Sequence, residues 1–423
     1  MLHENIYSDL LSAHQLDRGR NVRLFYTTPD FVYRGRICAG LPFLCNDDMT
    51  FMPVANDYLL WVCLENASTA SPATWKSYAE TLFDYFSWLS TNGFAWDALP
   101  IKGPQGEEIS NLAMYRNWSM DLIHPSSGKP RVAPSTLRRR MTQIMAFYRW
   151  ALQRKRIPEL PWETTLSRVL RLRLPPSMYR HTHAGEVVYR DITRPRVPKK
   201  PIPFLHLDQC RALMQACRSE TLKLMTALML QTGLRNEECR TFPRQYIFDP
   251  VGQPRDKRFA VELSPSDMAI KGSKPRRIYL SWWLMKSLFD YLNFGQGARR
   301  AKRYRQTQGE TSPFVFLNQA GAPWSEKGLN NAYRKLWAAE GDGSPRLDFR
   351  VTPHQLRHTF ATLELYAESQ NNNLATALAW VRDRLGHSSI QTTTVYVHCL
   401  DLMGESDLNL YQREIDALLE GRA

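Results

Sequence analysis

The sequence lacks the features that mark several large classes of protein. Its seven cysteines are scattered and odd in number, and no two have the CxxC spacing of a zinc module or a redox motif. This argues against a disulfide framework and favours a reduced, intracellular compartment. No apolar run reaches membrane-spanning length, and the N-terminal segment carries acids early rather than the apolar core of a secretory signal. We therefore expect a cytoplasmic protein, in the bacterial cytoplasm or nucleoid, with no membrane partner.

Two features of nucleotide- and metal-dependent enzymes are also missing. There is no GxxxxGK loop followed by Ser or Thr, and no cluster of paired acids. The clustered histidines His354 and His358 flank Arg357, whose fixed positive charge would oppose a bound cation. His181 and His183 form a second pair, but they lie in a proline-rich segment. We therefore expect neither a metal site nor a cofactor.

What the sequence has in excess is positive charge. It carries 55 Lys and Arg against 41 Asp and Glu, which gives a net charge of +14. Residues 129–200 hold 18 of the cations and only four acids, so the surplus of this segment equals that of the whole chain. A basic segment between two nearly neutral ends favours a polyanion partner. A solvated basic surface is the alternative.

Patterning divides the 423 residues into four parts. Residues 1–55 are weakly patterned and are treated as an N-terminal extension without an assigned role. Residues 56–175 repeat apolar positions at three- and four-residue steps, which predicts a helical domain. Residues 176–203 form a stiff, basic, proline-rich linker. Residues 204–423 mix helix and strand patterns and end in an amphipathic helix over Leu408–Leu419, so the predicted fold class is mainly α with a small β-sheet.

One helix of the helical domain, from Ser135 to about Arg154, combines an apolar face with a basic one. Ser135 is its predicted N-cap. Such a helix can lie along a phosphate backbone, and a solvated helix face is the alternative. The cations of this helix and of the linker that are candidate phosphate contacts are Arg138, Arg139, Arg140, Arg149, Lys199 and Lys200.

A cationic triplet occurs in the string TPHQLRHTFAT, which contains His354, Arg357 and His358. Thr352 is a predicted N-cap with Pro353 at the first helical position, and spacings of three and four place the triplet on one helix face. Arg offers a planar fork to two oxygens of an anion, and His adds a further donor. The pattern therefore predicts an anion site, although a core histidine beside a surface arginine has the same spacing.

A second arginine, Arg235 in QTGLRNEEC, follows a predicted buried helix that ends at Gly233. The glycine turn can hold the arginine rigidly at a pocket. Glu238, three residues later, can brace it or orient a histidine. An ordinary ion pair at a helix start is the alternative.

The string AIKGSKPRRIYL places Lys271 on a glycine-containing turn between predicted strands at 258–264 and 276–281. A flexible ammonium there could donate a proton to a departing alkoxide. Lys274 competes for that assignment, and either lysine could be a phosphate contact or a solvated turn residue. The downstream segment 295–309 is polar and arginine-rich and is predicted to be a loop.

The C-terminal string LGHSSIQTTTVYVH contains His387 and Tyr396. A phenol is a weak nucleophile because its usual pKa is about 10. Cationic donors around the group that it attacks lower the barrier by stabilising the charge that develops. A tyrosine on an amphipathic helix is more often a core or surface residue, so only the full set of residues favours a catalytic one.

The ordered set resembles the tyrosine recombinase or phage integrase family. The matching elements are TGLR-x-x-E, a lysine on a strand turn, HxLRHTFAT, LGH and a tyrosine nine residues after that histidine, and they span about residues 232–398. Any one motif is weak, whereas the ordered set is specific. The resemblance implies a helical core DNA-binding domain joined by the linker to an α+β catalytic domain.

The resemblance also implies how the site holds a DNA phosphate. Arg235 and Arg357 would bind the non-bridging oxygens of the scissile phosphate, and His354 would donate a third hydrogen bond. Glu238 would hold the cluster in place. Lys274, beside the candidate acid, would be a DNA contact.

The remaining roles concern bond breaking and bond making. Tyr396 would attack phosphorus and form a 3′-phosphotyrosyl link, and Lys271 would protonate the leaving 5′ oxygen. His387 would complete the pocket. His358 is interpreted as helix support rather than as a catalytic residue.

These expectations describe a site-specific recombinase or integrase that works without metal or ATP. Its partners would be double-stranded DNA with specific recombination sites and three further copies of the chain in a tetramer. The tail helix would dock onto a neighbouring subunit, with packing on its own domain as the alternative. A type IB topoisomerase-like relaxing enzyme and a catalytically silent DNA-binding protein are the competing functions.

Overall fold

The computed structural model is mainly helical with small two-stranded sheets, so the predicted fold class is confirmed. The described residues fall into two compact units that divide between Lys199 and Lys200. No helix among them is long and apolar enough to cross a membrane. The structure describes residues 21–66, 71–98, 101–102, 108–162, 164–168, 187–191, 195, 202–270, 274–338, 345–387, 389–400 and 416–417.

The first unit begins with an antiparallel sheet, within the stretch for which the sequence predicted no pattern. Strand β1 (Val22–Tyr26) pairs with β4 (Pro42–Asn46), and the short strands β2 (Val32–Tyr33) and β3 (Arg36–Ile37) pair with each other between them. The side-chain amide of Asn56 accepts from the N–H of Leu44 at 2.7 Å and donates to its carbonyl at 2.8 Å. Asn56 thus acts as a strand partner and ties the sheet to the helices that follow.

Those helices form the core of the first unit. They are α1 (Pro53–Leu60), which continues as a π-helical turn over Trp61–Glu65, α2 (Pro72–Thr91), α3 (Asn111–Asp121) and α4 (Pro134–Gln153). Helices α2 and α4 are joined inside the core by paired hydroxyls of Tyr85 and Tyr148 at 2.7 Å. The predicted N-cap Ser135 is wrong, because Ala133 is the cap and Pro134 takes the first helical position that its fixed φ favours.

Two further hairpins complete the first unit. Strand β5 (Ile101–Lys102) pairs with β6 (Glu108–Ile109), and β7 (Thr164–Arg168) pairs antiparallel with β8 (Val187–Asp191). Strand β8 lies within the predicted linker, in the proline-free stretch between Pro176 and Pro195.

The second unit is built around a buried helix. Helix α6 (Glu220–Thr232) is enclosed over almost its whole length. The antiparallel hairpin of β9 (Arg258–Leu263) and β10 (Arg276–Ser281) packs beside it, with Arg276 opposite Leu263 and Ser281 opposite Arg258. Two buried tyrosines join this core: the hydroxyl of Tyr333 lies 2.9 Å from that of Thr226, and the hydroxyl of Tyr291 lies 3.0 Å from that of Thr221. The elements are α5 (Leu207–Ala216), α6 (Glu220–Thr232), α7 (Asn236–Arg240), β9 (Arg258–Leu263), β10 (Arg276–Ser281), α8 (Trp282–Asn293), α9 (Gln296–Gln308), α10 (Glu326–Trp337), α11 (Pro353–Asn371), α12 (Leu374–Leu385) and α13 (Val397–Leu400).

Two predictions for the second unit are corrected or left open by these elements. The segment 295–309 is not a loop, because α9 occupies most of it and is anchored through the buried Arg300, which donates to the carbonyl of Leu317 at 2.6 Å. The predicted tail helix over Leu408–Leu419 lies outside the described residues apart from Asp416 and Ala417. The Asp416 carboxylate accepts hydrogen bonds from Gln231 at 2.7 Å and Ser281 at 2.6 Å.

Candidate active site

The site begins where helix α6 ends. Gly233 adopts a left-handed conformation with φ of 64°, and its N–H donates to the carbonyl of Met229. A Cβ at this position would lie 2.3 Å from the Phe360 ring, so glycine is required both by the backbone and by the close approach of α11. This sharp turn brings Arg235 to the start of α7 and away from the core that buries α6.

A buried carboxylate joins two arginines beside this turn. Glu238 is 1% exposed; its oxygens accept from Nη1 of Arg235 at 3.0 Å and from Nη1 and Nη2 of Arg276 at 3.0 and 2.5 Å. Burial alone would raise the pKa of Glu238, but the hydrogen bonds and charge of Arg276, with a further contribution from Arg235, lower it to about 2. The carboxylate therefore stays ionised and fixes both guanidinium groups.

Arg357 lies where two helices end. Its Nη1 donates to the carbonyl of Gly233 at 2.6 Å, and its Nη2 donates to the carbonyl of Leu385 at 2.7 Å. These carbonyls are at the C-termini of α6 and α12, where helices leave acceptors unpaired and carry partial negative charge. Burial, and then the charge of Arg235, lower the pKa of Arg357 to about 9, so it remains a cation at neutral pH.

His387 follows directly on the end of α12. Gly386 is left-handed with φ of 63°, and a Cβ there would meet the Arg276 side chain at 3.1 Å. Nδ1 of His387 lies 3.0 Å from the Thr393 hydroxyl. Burial, and then Arg357, lower the pKa of His387 to about 3, so the ring is neutral and can act as a hydrogen-bond partner without adding charge.

Tyr396 closes the cluster from two short 3-10 turns, Ile390–Thr392 and Thr394–Tyr396, that precede α13. The tyrosine is 2% exposed, and its hydroxyl lies 2.9 Å from Nδ1 of His358. Burial raises the pKa of Tyr396, whereas the charges of Arg357 and Arg235 act to lower it. The phenol oxygen is thus within electrostatic reach of both arginines.

The remaining predicted site residues lie at the edge of this cluster or beyond the described chain. His354 is exposed, one helical turn before His358, and the two ring centroids are 4.2 Å apart. Lys274 is exposed and lines an open groove of about 620 Å³ that also borders Arg276 and His387. Lys271 lies outside the described residues.

Chemically, this arrangement is suited to an anion. Guanidinium groups, neutral imidazoles and a phenol lie in one cluster, and such groups can hold a phosphoryl group and present an oxygen nucleophile to it. Over the described ranges, no group of three His, Cys, Asp or Glu side chains could hold a metal ion.

Two residues of the cluster were not predicted as site residues. Arg276 shares the buried face of β10 with Ile278 and Leu280, and a cation at such an alternating position needs a buried carboxylate partner. That alternation was the signal that could have identified it. His358 was interpreted as helix support; only the long-range packing of Tyr396 against α11 reveals its contact.

The candidate phosphate contacts of α4 have different surroundings. Arg138, Arg139 and Arg149 are exposed, and Arg149 stacks over the Trp162 ring at 5.5 Å. Arg140 instead pairs with Asp84 at 2.7 Å within the first unit. Lys199 and Lys200 lie outside the described residues.

A protein-family model matches the second unit, and similarity to solved structures and to other proteins extends over more of the chain. Residues 203–402 match the model described as the phage integrase family, and this range includes the whole cluster around Tyr396. A crystal structure of the XerH site-specific recombinase bound to a palindromic difH substrate aligns with a TM-score of 0.48 and 14% identity, over 82% of each chain.

Two characterised proteins are similar in sequence. Transposase A from transposon Tn554 of Staphylococcus aureus is 28% identical over 238 residues, which cover 55% of this chain and 58% of the transposase. Tyrosine recombinase XerC of Halalkalibacterium halodurans is 27% identical over 274 residues, which cover 63% of this chain and 72% of the relative. The chain thus spans little more than half the length of the transposase that it matches.

Proposed function

We propose that the chain is a tyrosine recombinase of the phage integrase family, a DNA strand-transferring enzyme that cuts and rejoins DNA at specific sites. The proposed intermediate is a covalent 3′-phosphotyrosyl link to Tyr396. The relatives named as a tyrosine recombinase and a transposase support recombination, and with it a role in a mobile element, over relaxation of supercoils.

One observation carries this proposal: Arg235, Arg357, His387 and Tyr396 come from four separate segments, yet the charges of both arginines reach the imidazole and the phenol. Arg357 and Arg235 are the charges that lower the pKa of Tyr396, and the same pair lowers that of His387. A phosphodiester anion repels an oxygen nucleophile, so its charge must be neutralised before attack. This cluster supports neutralisation and attack at one place.

In the proposed reaction, Arg235 and Arg357 bind the non-bridging phosphate oxygens, with His354 as a third donor. Two N–H groups of Arg357 hold backbone carbonyls, which leaves its other donors for the phosphate. Glu238 keeps Arg235 oriented, and His387 completes the pocket.

The phenol oxygen of Tyr396 attacks phosphorus as the bond to the 5′ oxygen breaks. The 5′ oxygen takes its proton from Lys271, with Lys274 as the competing acid. The covalent link retains the energy of the broken phosphodiester, so that rejoining needs no ATP, and the arginines and histidines supply the charge stabilisation without a divalent metal.

The proposed partner is double-stranded DNA that carries specific recombination sites, bound by a tetramer of the chain. Exposed Arg138, Arg139 and Arg149 on α4, together with Lys274 at the groove, support contacts to the phosphate backbone.

The first test is capture of the covalent adduct. The protein is incubated in EDTA with sheared DNA of the organism that encodes it, protein-bound fragments are recovered after SDS denaturation, and their ends are sequenced. The recovered sequence is then rebuilt as a nicked duplex that traps the intermediate. We expect a 3′-linked adduct that is absent in Tyr396→Phe and retained in Tyr304→Phe, which removes a hydroxyl on α9. An adduct that persists in Tyr396→Phe would refute the proposal.

The same duplex separates the competing functions. A recombinase exchanges strands between two labelled sites and assembles four chains on them. Relaxation of supercoiled DNA by a monomer, without exchange, would instead support a topoisomerase-like enzyme. Tight DNA binding with no adduct would indicate a silent DNA-binding protein.

A further inference from the structure

The hydroxyl of the proposed nucleophile contacts a histidine, and it is not the histidine expected to act on DNA. Nδ1 of His358 lies 2.9 Å from the Tyr396 oxygen, and the two ring centroids are 5.6 Å apart. His358 is half-buried on α11, between exposed His354 and the core. The contact places a nitrogen base against the atom that must lose a proton.

The charge state of His358 suits a proton acceptor. Burial, and then the charges of His354 and Arg357, lower its pKa to about 4, so the ring is neutral at physiological pH and one nitrogen is an acceptor. Nδ1 of His358 lies within hydrogen-bond distance of the Tyr396 hydroxyl. In the tautomer that carries its hydrogen on Nε2, Nδ1 accepts the hydrogen bond from the Tyr396 hydroxyl.

The other imidazoles are engaged differently. Nδ1 of His387 faces the Thr393 hydroxyl at 3.0 Å. His354 is exposed, where an incoming phosphate can reach it. The charged and titratable groups that face the tyrosine from neighbouring elements are Arg235, Arg357, His358, His387 and Cys399.

We propose that His358 is a catalytic residue that accepts the phenolic proton of Tyr396 during attack, which leaves His354 to serve the phosphate. This inference rests on the proposed function. The O–H bond of Tyr396 breaks and its proton moves to Nδ1, while the oxygen forms a bond to phosphorus and the bond to the 5′ oxygen breaks. The 5′ oxygen is protonated by a separate acid. In the rejoining step, the imidazolium returns its proton to the departing phenolate.

The test makes the phenol more acidic. Adduct formation on the nicked duplex is timed for wild type and His358→Ala, each with tyrosine or with trifluorotyrosine at position 396, since fluorine lowers the pKa of a phenol. With tyrosine, we expect His358→Ala to slow cleavage by about 10²- to 10⁴-fold, the usual contribution of a general base. With trifluorotyrosine, the defect should shrink by about tenfold or more. An equal defect with both nucleophiles would overturn the proposal.

Two further arms exclude other roles. His358→Asn retains an acceptor near the position of Nδ1 but cannot take a proton, so it should remain slow; full activity would show that the contact only positions the ring. A substrate with sulfur in place of the 5′ oxygen needs no acid, so it should rescue Lys271→Ala but not His358→Ala. Rescue of His358→Ala by this substrate would contradict the assignment. Failure of wild type to form any Tyr396 adduct would instead reject the proposed function itself.

Discussion

Glu238 binds Arg276 through both carboxylate oxygens, at 3.0 and 2.5 Å, and no more than 3% of either side chain is exposed. Removing one charge of such a pair leaves the other buried without compensation, which typically costs about 3–5 kcal/mol. We therefore expect Glu238→Gln to lower the free energy of unfolding by about that amount and to abolish cleavage, because Arg235 loses its brace. Urea denaturation followed by circular dichroism measures the first effect, and adduct formation measures the second.

The neighbouring strand pair provides a matched control. Glu262 on β9 forms an ion pair with Arg277 on β10, but these side chains are 60% and 58% exposed. Glu262→Gln should change stability far less than Glu238→Gln, because solvent screens an exposed pair. The double change Glu238→Gln with Arg276→Met should recover part of the loss, because it also removes the uncompensated cation. Equal losses for Glu238→Gln and Glu262→Gln would contradict the role of burial.

The two neutral histidines of the cluster should make stability depend on pH. Burial and nearby arginine lower the pKa values of His358 and His387 to about 4 and about 3, below the 6.5 of an unfolded chain. Below pH 6.5 the unfolded chain therefore binds protons that the folded chain does not, so stability falls as pH decreases toward 4 and levels off below the folded values. Each histidine contributes at most about 1.4 kcal/mol per pH unit.

Denaturation midpoints measured from pH 7.5 to pH 4.5 test this dependence. The decrease in stability per pH unit should be smaller in His358→Asn, which removes one of the two titrating histidines. A slope unchanged by that substitution would show that other groups dominate the pH dependence.

Sequence patterns identified the elements whose signals are local. Alternation predicted strands at 258–264 and 276–281, and the structure has Arg258–Leu263 and Arg276–Ser281. Thr352 and Pro353 predicted the start of α11, and the Thr352 hydroxyl accepts from the N–H of Gln355. Neighbouring residues alone determine such features, so they can be predicted from a single sequence.

Long-range packing accounts for what the patterns missed. The spacing of His354, Arg357 and His358 predicts a shared helix face, but not that Arg357 meets the ends of α6 and α12. Helix α9 carries like charges without an apolar stripe and so resembled a loop, whereas buried Arg300 and the packing of Gly297 on Tyr291 hold it. The segment before α13 forms two 3-10 turns, Ile390–Thr392 and Thr394–Tyr396, where three β-branched threonines disfavour a regular helix.

Substitution of Gly233 should disturb both backbone and packing. A left-handed conformation costs a residue with a Cβ about 1–2 kcal/mol, and the Cβ would also lie 2.3 Å from the Phe360 ring. Overpacking adds about 1–3 kcal/mol, so Gly233→Ala should destabilise by about 2–5 kcal/mol and displace the carbonyl that Arg357 binds. Thermal or urea unfolding measures the loss, and adduct formation should fall with it.

Gly309, at the end of α9, isolates the backbone contribution. Its φ is 78°, and a Cβ there would meet nothing within 4 Å. Gly309→Ala should therefore cost only the conformational term of about 1–2 kcal/mol and leave cleavage unchanged. If Gly233→Ala and Gly309→Ala lower the free energy of unfolding equally, the close approach of α11 to Gly233 does not contribute to stability and the prediction is wrong.

The arginines of α4 should separate into DNA contacts and structural residues. Arg138 and Arg139 are exposed, whereas Arg140 pairs with Asp84 at 2.7 Å, and Asp84 also accepts from the Tyr115 hydroxyl at 2.7 Å. When the logarithm of DNA affinity is plotted against the logarithm of salt concentration, each lost phosphate contact makes the slope shallower by about 0.9. Arg138→Gln and Arg139→Gln should each reduce that slope by about this amount without a change in stability. Fluorescence anisotropy of the recovered duplex between 50 and 200 mM salt measures the slope.

Arg140→Gln should leave the slope unchanged but destabilise the first unit by about 1–3 kcal/mol, since it removes a hydrogen-bonded partner of a partly buried carboxylate. A reduced slope in Arg140→Gln, or an unchanged slope in both other variants, would place the DNA on a different face of the helix.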